Sequence, residues 1–147
     1  MSLSYKNIKK ILIPTDGSNH SIRAAEYGIS IAKAVGAQLL VVFVVDDLVL
    51  DQISKITDRE IAERALRHDG QGYLDYVADL ADKEGVTSSC LIVEGRPFEG
   101  IVRLAKDSNV DLIVMGTYGR RGAERLLIGS VAERVIEYAT CPVLVVK

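Results

Sequence analysis

Five short apolar runs alternate with longer segments of helical periodicity along the whole chain. The runs span residues 8–14, 38–45, 88–94, 110–115 and 142–146. They are apolar at most successive positions, which is typical of strands buried on both faces of a sheet. The segments between them place apolar residues at three- and four-residue spacing, as amphipathic helices do. The alternation predicts one α/β domain over residues 1–147, with a doubly wound, five-stranded parallel sheet and helices on both faces.

Glycine and proline mark where several of these helices begin, end or weaken. Gly36 is expected to cap the first helix, and Pro97 to begin the helix after the third strand. Gly70 and Gly72 fall inside a long helical segment, and we expect both to be weak points in it. Residues 46–59 mix acidic and apolar side chains. They predict a short helix or a mobile flap at the sheet edge where open α/β sheets bind ligands.

The segment between the fourth strand and the last helix has the composition of an anion-binding loop. Residues 115–130 contain four glycines, two adjacent arginines and a Gly-Ser pair. Backbone that approaches an anion closely requires glycine, and a helix N-terminus supplies N–H groups and partial positive charge. Ser130 is a good N-cap residue, and its hydroxyl can donate to a phosphate oxygen. These features predict a phosphate-binding loop.

The spacing of the glycines excludes two common nucleotide motifs. No lysine precedes Ser130, as the Walker A motif requires, and the Gly-x-Gly-x-x-Gly fingerprint of dinucleotide-binding folds is missing. The spacing is instead Gly116-x2-Gly119-x9-Gly129-Ser130. This pattern resembles the ATP-binding motif of the universal stress protein family at all of its defined positions.

Two further landmarks extend the resemblance over nearly the whole chain. IPTDGS at residues 13–18 is similar to the family's first loop, and CPVLVV at residues 141–146 is similar to its closing strand. The resemblance implies the sheet order 3-2-1-4-5 and a homodimer. In that order the ligand crevice lies between the carboxyl ends of the first and fourth strands. We expect the apolar edge strand Val143–Val146 to pair with its copy in the dimer.

The resemblance also implies which residues bind the nucleotide, which would be ATP, ADP or AMP. The implied set comprises Pro14, Thr15, Asp16, Gly17, Val44, Met115, Gly116, Thr117, Gly119, Arg120, Arg121, Gly129, Ser130 and Val131. Its four motif residues would bind ribose and phosphates through backbone N–H groups and the Ser130 hydroxyl, and Val131 would contact the phosphate end. Arg120 and Arg121 can neutralise phosphate charge, although the motif leaves their positions variable and solvated side chains fit as well.

The resemblance also implies that the adenine side of the site lies at the ends of the first two strands. Pro14, Thr15 and Asp16 would line the adenine and the ribose, and Asp16 can also reach a Mg²⁺ or Mn²⁺ ion through water. The backbone of Val44 would contact the edge of the adenine. Tyr118 stands where family members often have histidine, so histidine-dependent chemistry is not expected here.

Three classes of function remain open on these residues. The first is an ATP-binding regulatory module, and the second is a slow Mg-dependent ATPase that uses Asp16. The third is a receiver-like phospho-acceptor domain, which needs an acidic pair after its first strand and an aspartate at the end of its third. Asp16 has no acidic neighbour and the third strand ends in Glu94. The receiver class is therefore the weakest of the three, and no catalytic residue is predicted.

Charge and hydropathy limit the partners of the chain. The formal net charge of −2 gives no electrostatic attraction to nucleic acid or to anionic membranes. The longest wholly apolar run is Leu39–Val45, far shorter than the ~20 residues that span a bilayer. The N-terminus lacks the apolar stretch of a secretory signal. We therefore expect a cytoplasmic protein that binds neither nucleic acid nor membranes.

Overall fold

The computed structural model describes residues 7–118 and 128–147. Their elements are β1 (Lys10–Pro14), α1 (Asn19–Val35), β2 (Gln38–Asp46), α2 (Asp47–Ile53), α3 (Arg59–Lys83), β3 (Ser88–Gly95), α4 (Pro97–Asp107), β4 (Leu112–Gly116), α5 (Ser130–Tyr138) and β5 (Val143–Val146). The five strands pair in parallel in the order β3-β2-β1-β4-β5. The sheet order implied by the resemblance is confirmed. None of the described helices is both long enough and apolar enough to cross a membrane.

Side-chain alternation along the strands divides the core into two layers. Ile11 and Val41 point to one face, where they pack with residues of α1 and α3. Leu12 and Val42 point to the other face, where they pack with residues of α4 and α5. Both faces of the sheet are therefore covered, which explains why successive strand residues are apolar. The predicted placement of helices on both faces is confirmed.

The long helix α3 is continuous through both of its glycines. Gly70 is buried, and a Cβ at this position would overlap the ring of Phe43 on β2. Gly72 is exposed, and no atom lies within 4 Å of the place its Cβ would take. Gly70 is thus a position of close helix–sheet packing rather than the weak point that the sequence predicted.

Segment 46–59 is a short helix, α2, followed by a turn that leads into α3. Asp46 caps α2, since its Oδ1 accepts a hydrogen bond from the Leu48 N–H at 2.9 Å. Leu50 anchors the helix in the core, and Arg59 Nη1 lies 2.9 Å from Asp51 Oδ1. Of the two predicted alternatives, the structure supports the helix, and it lies at the carboxyl end of β2.

Candidate functional site

A cleft of about 540 Å³ opens at the carboxyl ends of β1, β2 and β4. β1 has β2 on one side and β4 on the other, so the cleft lies where the strand order reverses. Open α/β sheets bind their ligands at this point. The volume falls within the range of roughly 300–1,000 Å³ that is usual for small-molecule sites.

Most of the site residues predicted from the sequence line this cleft. Its walls include Pro14, Thr15, Asp16, Val44, Met115, Gly116, Thr117, Gly129, Ser130 and Val131. Gly17 is not part of the walls. Gly119, Arg120 and Arg121 lie outside the described residues. Two loops that are a hundred residues apart in sequence thus meet across one cavity.

The first of these loops, between β1 and α1, is held by its own hydrogen bonds. Asp16 Oδ1 accepts from the Ser18 N–H at 2.9 Å, which forms an Asx turn. Ser18 in turn caps α1 by accepting from the Ser21 N–H at 3.2 Å. The buried Thr15 Oγ1 lies 3.2 Å from Ser21 Oγ. The loop therefore presents Asp16 to the cleft from a fixed backbone.

Gly17 serves this turn rather than the cleft. Its φ of 78° lies in the left-handed region, which favours glycine. A Cβ on Gly17 would also overlap the ring of Tyr73, which packs edge-on at 5.8 Å from the ring of Phe43. The structure thus explains Gly17 by the turn and by its contact with α3. A role for Gly17 in nucleotide binding stays a prediction.

The second loop connects β4 to α5, and its described glycines allow close backbone contacts. A Cβ on Gly116 would lie 2.9 Å from the backbone oxygen of His20, and one on Gly129 would lie 2.7 Å from the backbone oxygen of Thr117. Gly129 is the N-cap residue of α5, and no side chain in the described part of the chain accepts a hydrogen bond from the first N–H groups of the helix as a cap. Ser130 is the first helical residue, so the prediction that Ser130 is the N-cap is wrong by one position.

Thr117 connects the end of β4 to both neighbouring elements. Its N–H donates to the backbone oxygen of Val146 at 3.1 Å, and its backbone oxygen accepts from the Gly129 N–H. The residue is 4% exposed. Among the described residues, the Thr117 hydroxyl has no hydrogen-bond partner. Beyond Thr117, the Tyr118 ring packs edge-on against His20, with ring centroids 5.3 Å apart.

Comparison with known proteins agrees with this architecture. The profile of the universal stress protein family matches residues 7–147. The chain belongs to the universal stress protein family. It is 45% identical over 139 residues to the universal stress protein MJ0531 of Methanocaldococcus jannaschii. The alignment covers 95% of this chain and 82% of that protein.

Two solved structures share the fold of this universal stress protein. The protein designated MJ0577 superposes with a TM-score of 0.86 at 29% identity, and 97% of each chain is covered. A universal stress protein solved in complex with cAMP superposes with a TM-score of 0.70 at 26% identity, covering 97% of this chain and 98% of that one. The family assignment made from three sequence landmarks is confirmed.

The universal stress protein cleft also has a wall that sequence reasoning missed. Phe98 and Ile101 of α4 and Arg134 of α5 line it, and the guanidinium carbon of Arg134 lies 5.2 Å from the centroid of the Phe98 ring. Arg134 follows Ser130 by four residues, so the two share one face of α5. That spacing was the available signal, and it becomes informative only once α5 is placed at the cleft.

Glu94 of the universal stress protein does not line this cleft. It lies at the end of β3 beside α3, where Arg67 Nη2 is 3.6 Å from its Oε2. A hydrogen bond with Glu63 and partial burial raise the pKa of Glu94, and the charge of Arg67 lowers it by less. The acidic residue that the receiver alternative considered at this strand is thus engaged with α3.

Proposed function

We propose that residues 1–147 form one domain that binds an adenine nucleotide in this cleft and acts as a nucleotide-dependent regulatory module. The observation that carries the proposal is the meeting of two different surfaces in one cavity. The N-terminus of α5, which has no side-chain cap among the described residues, suits phosphate. The apolar wall of Pro14, Val44, Ile101 and Met115 suits a purine ring.

The phosphate side is supported by backbone geometry and by the motif. A Cβ on Gly129 would meet the backbone oxygen of Thr117, so the chain folds closely around the start of α5. A Cβ on Gly116 would meet His20 of α1, so the end of β4 also approaches α1 closely. The first N–H groups of a helix have no intrahelical acceptor and carry partial positive charge. Ser130 and Val131 supply two of these N–H groups at the cleft. Gly119 completes the family's motif in the sequence.

The adenine side is supported by the shape of the wall and by one relative. The side chains of Val44 and Met115 belong to the same core layer as Ile101, so they form one continuous apolar surface. The family member that was solved with cAMP has this fold at 26% identity. We extend its adenine nucleotide class, although not that particular ligand, to this chain.

A Mg²⁺ or Mn²⁺ ion fits the cleft when it arrives with the nucleotide. In residues 7–118 and 128–147, no group of three or more histidine, cysteine, aspartate or glutamate side chains is placed to hold a metal. Asp16 and Asp46 line the cleft. Mg²⁺ is usually bound through one or two carboxylates, substrate phosphates and several waters. Asp16 would therefore hold such an ion through water, beside the phosphates.

The proposal is tested by isothermal titration of nucleotide-free protein with ATP–Mg²⁺ and with GTP–Mg²⁺. We expect saturable ATP binding at one site per chain and weaker binding of GTP. Protein that is denatured directly after purification should also release an adenine nucleotide that chromatography identifies. A flat ATP titration together with an empty release assay would contradict the proposal.

We also propose that the protein is a homodimer that pairs through β5. This strand is an edge of the sheet, and Leu144 on it is 37% exposed. Ile136 and Tyr138 of the preceding helix α5 are exposed as well. An apolar edge strand tends to pair, and pairing with its own copy closes a two-fold dimer.

A lysine at Leu144 is expected to convert the dimer into a monomer, because lysine on an edge strand opposes pairing. The matched control is Leu91→Lys on β3, the opposite edge, where Leu91 is 40% exposed. Sedimentation velocity at micromolar concentration should give a dimer for the wild type and for Leu91→Lys. A monomeric wild type would overturn the proposal, as would dissociation caused by Leu91→Lys and not by Leu144→Lys.

A further inference from the structure

Two buried threonines belong to the walls of the cleft on opposite loops. Within the described residues, only the hydroxyl of Thr15 is hydrogen-bonded. Thr15 and Thr117 are each 4% exposed. Thr15 Oγ1 pairs with Ser21 Oγ at 3.2 Å and accepts from the Gly17 N–H at 3.4 Å. Thr117 Oγ1 is buried without a partner in the described part of the chain. Burial of an unpaired hydroxyl is unfavourable, so this group calls for a functional explanation.

The backbone of Thr117 places this hydroxyl at the start of α5. Its backbone oxygen accepts from the N–H of Gly129, the N-cap residue, and its side chain belongs to the wall of the cleft. The helix of nine residues that begins at Ser130 presents its partially positive end there. An anionic oxygen is the partner that this environment favours, and a hydroxyl can donate to it.

We propose that Thr117 is a ligand-binding residue whose hydroxyl donates a hydrogen bond to a phosphate oxygen of the bound nucleotide. This inference rests on the proposed function. The hydroxyl oxygen is enclosed by protein in the structure, so the phosphate reaches it only when the contact between Thr117 and Gly129 shifts on binding. The amide resonances of Thr117 and Gly129 would report that shift.

The inference predicts effects of opposite direction on folding and on binding. Thr117→Val keeps the shape of the side chain and removes the unpaired hydroxyl, so the free protein should melt at the same temperature or higher. AMP binding should weaken about 10- to 100-fold, which is the range for one hydrogen bond to a charged group. Thr117→Ser, which restores the hydroxyl, should recover most of the AMP affinity.

Thr15→Val is the matched structural control. It removes a hydroxyl that is paired with Ser21, so the free protein should melt at a lower temperature. If Thr117→Val lowers the melting temperature as much as Thr15→Val does, the Thr117 hydroxyl has a structural partner. That result would overturn the inference.

The phosphate assignment is tested with a ligand that lacks the phosphate. Adenosine and AMP are each used to displace a fluorescent adenine nucleotide from the wild type and from Thr117→Val. We expect the variant to lose AMP affinity and to keep its adenosine affinity. Equal losses for the two ligands, or unchanged AMP affinity, would overturn this inference alone. A wild type that binds neither ligand nor the fluorescent nucleotide would instead overturn the proposed function.

Discussion

Gly129→Val is expected to weaken ATP binding about 100-fold or more, the equivalent of losing two charge-assisted hydrogen bonds. The Cβ of the new side chain would lie 2.7 Å from the backbone oxygen of Thr117. A backbone atom cannot rotate away as a side chain can, so the start of α5 has to move. The N–H groups of Ser130 and Val131 then leave the positions that we propose hold the phosphates.

The same clash is expected to cost stability, since overpacking typically costs about 1–3 kcal/mol. Melting temperature and far-ultraviolet circular dichroism establish that Gly129→Val is folded before it is titrated with ATP. Ser130→Ala is the control, because it removes a hydroxyl and leaves the backbone in place. It should lose less affinity than Gly129→Val, within the range of about 10- to 100-fold for one hydrogen bond to a charged group. Near wild-type binding by Gly129→Val, with a large loss in Ser130→Ala, would show that the hydroxyl rather than the backbone holds the ligand.

Gly70→Ala is expected to destabilise the fold by about 1–3 kcal/mol, although alanine is normally the better helix former by about 1 kcal/mol. The new Cβ would overlap the ring of Phe43. Phe43 is itself only 8% exposed and packs against Tyr73, so its ring has little space to move into. Tyr73 in turn contacts Gly17 of the first cleft loop, and displacement of the ring would disturb that loop.

Gly72→Ala is the matched control on the same helix. No atom lies within 4 Å of its new Cβ, so the substitution should stabilise the fold by about 0.5–1 kcal/mol. Urea denaturation of both variants measures the two changes in the free energy of unfolding. Opposite signs are expected, and Phe43→Leu should recover part of the loss in Gly70→Ala. Equal stabilisation by both alanines would contradict the close packing of α3 on β2.

Strands β1, β2 and β4 were predictable because they are buried on both faces of the sheet. The strand boundaries were less predictable. The first strand was predicted over residues 8–14 and is observed from Lys10 to Pro14. The N–H groups of Lys9 and Lys10 donate to Asp111 Oδ2 at 2.9 and 3.0 Å. Asp111 precedes β4, whose predicted start at residue 110 is also too early. The Asp111 carboxylate takes the place of strand-to-strand hydrogen bonds at this end of β1. The hydropathy pattern gives no sign of such a replacement, so it could not predict where the strand begins.

The glycines of the cleft were predictable from spacing, because close backbone approach leaves a mark on the sequence. The wall of Phe98 and Arg134 was not, since each residue also fits an ordinary amphipathic helix. Gly70 was misjudged for a related reason. Its partner Phe43 lies 27 residues away in sequence and meets it only through the packing of α3 on β2. The Thr117 hydroxyl, which has no partner among residues 7–118 and 128–147, was likewise unpredictable, because its pairing depends on which acceptors the fold brings within reach.

The most direct test of nucleotide binding at this cleft is a titration of ¹⁵N-labelled protein with ATP–Mg²⁺, followed by amide chemical shifts. The prediction is that the largest shifts occur at residues that line the cleft, namely Thr15, Asp16, Val44, Gly116, Thr117, Gly129, Ser130 and Val131. The amide resonances of residues in the groove between α1 and α3, such as Glu26, Lys33 and Glu84, should not shift. The absence of any shift at millimolar ATP, or shifts concentrated in that groove, would contradict the account.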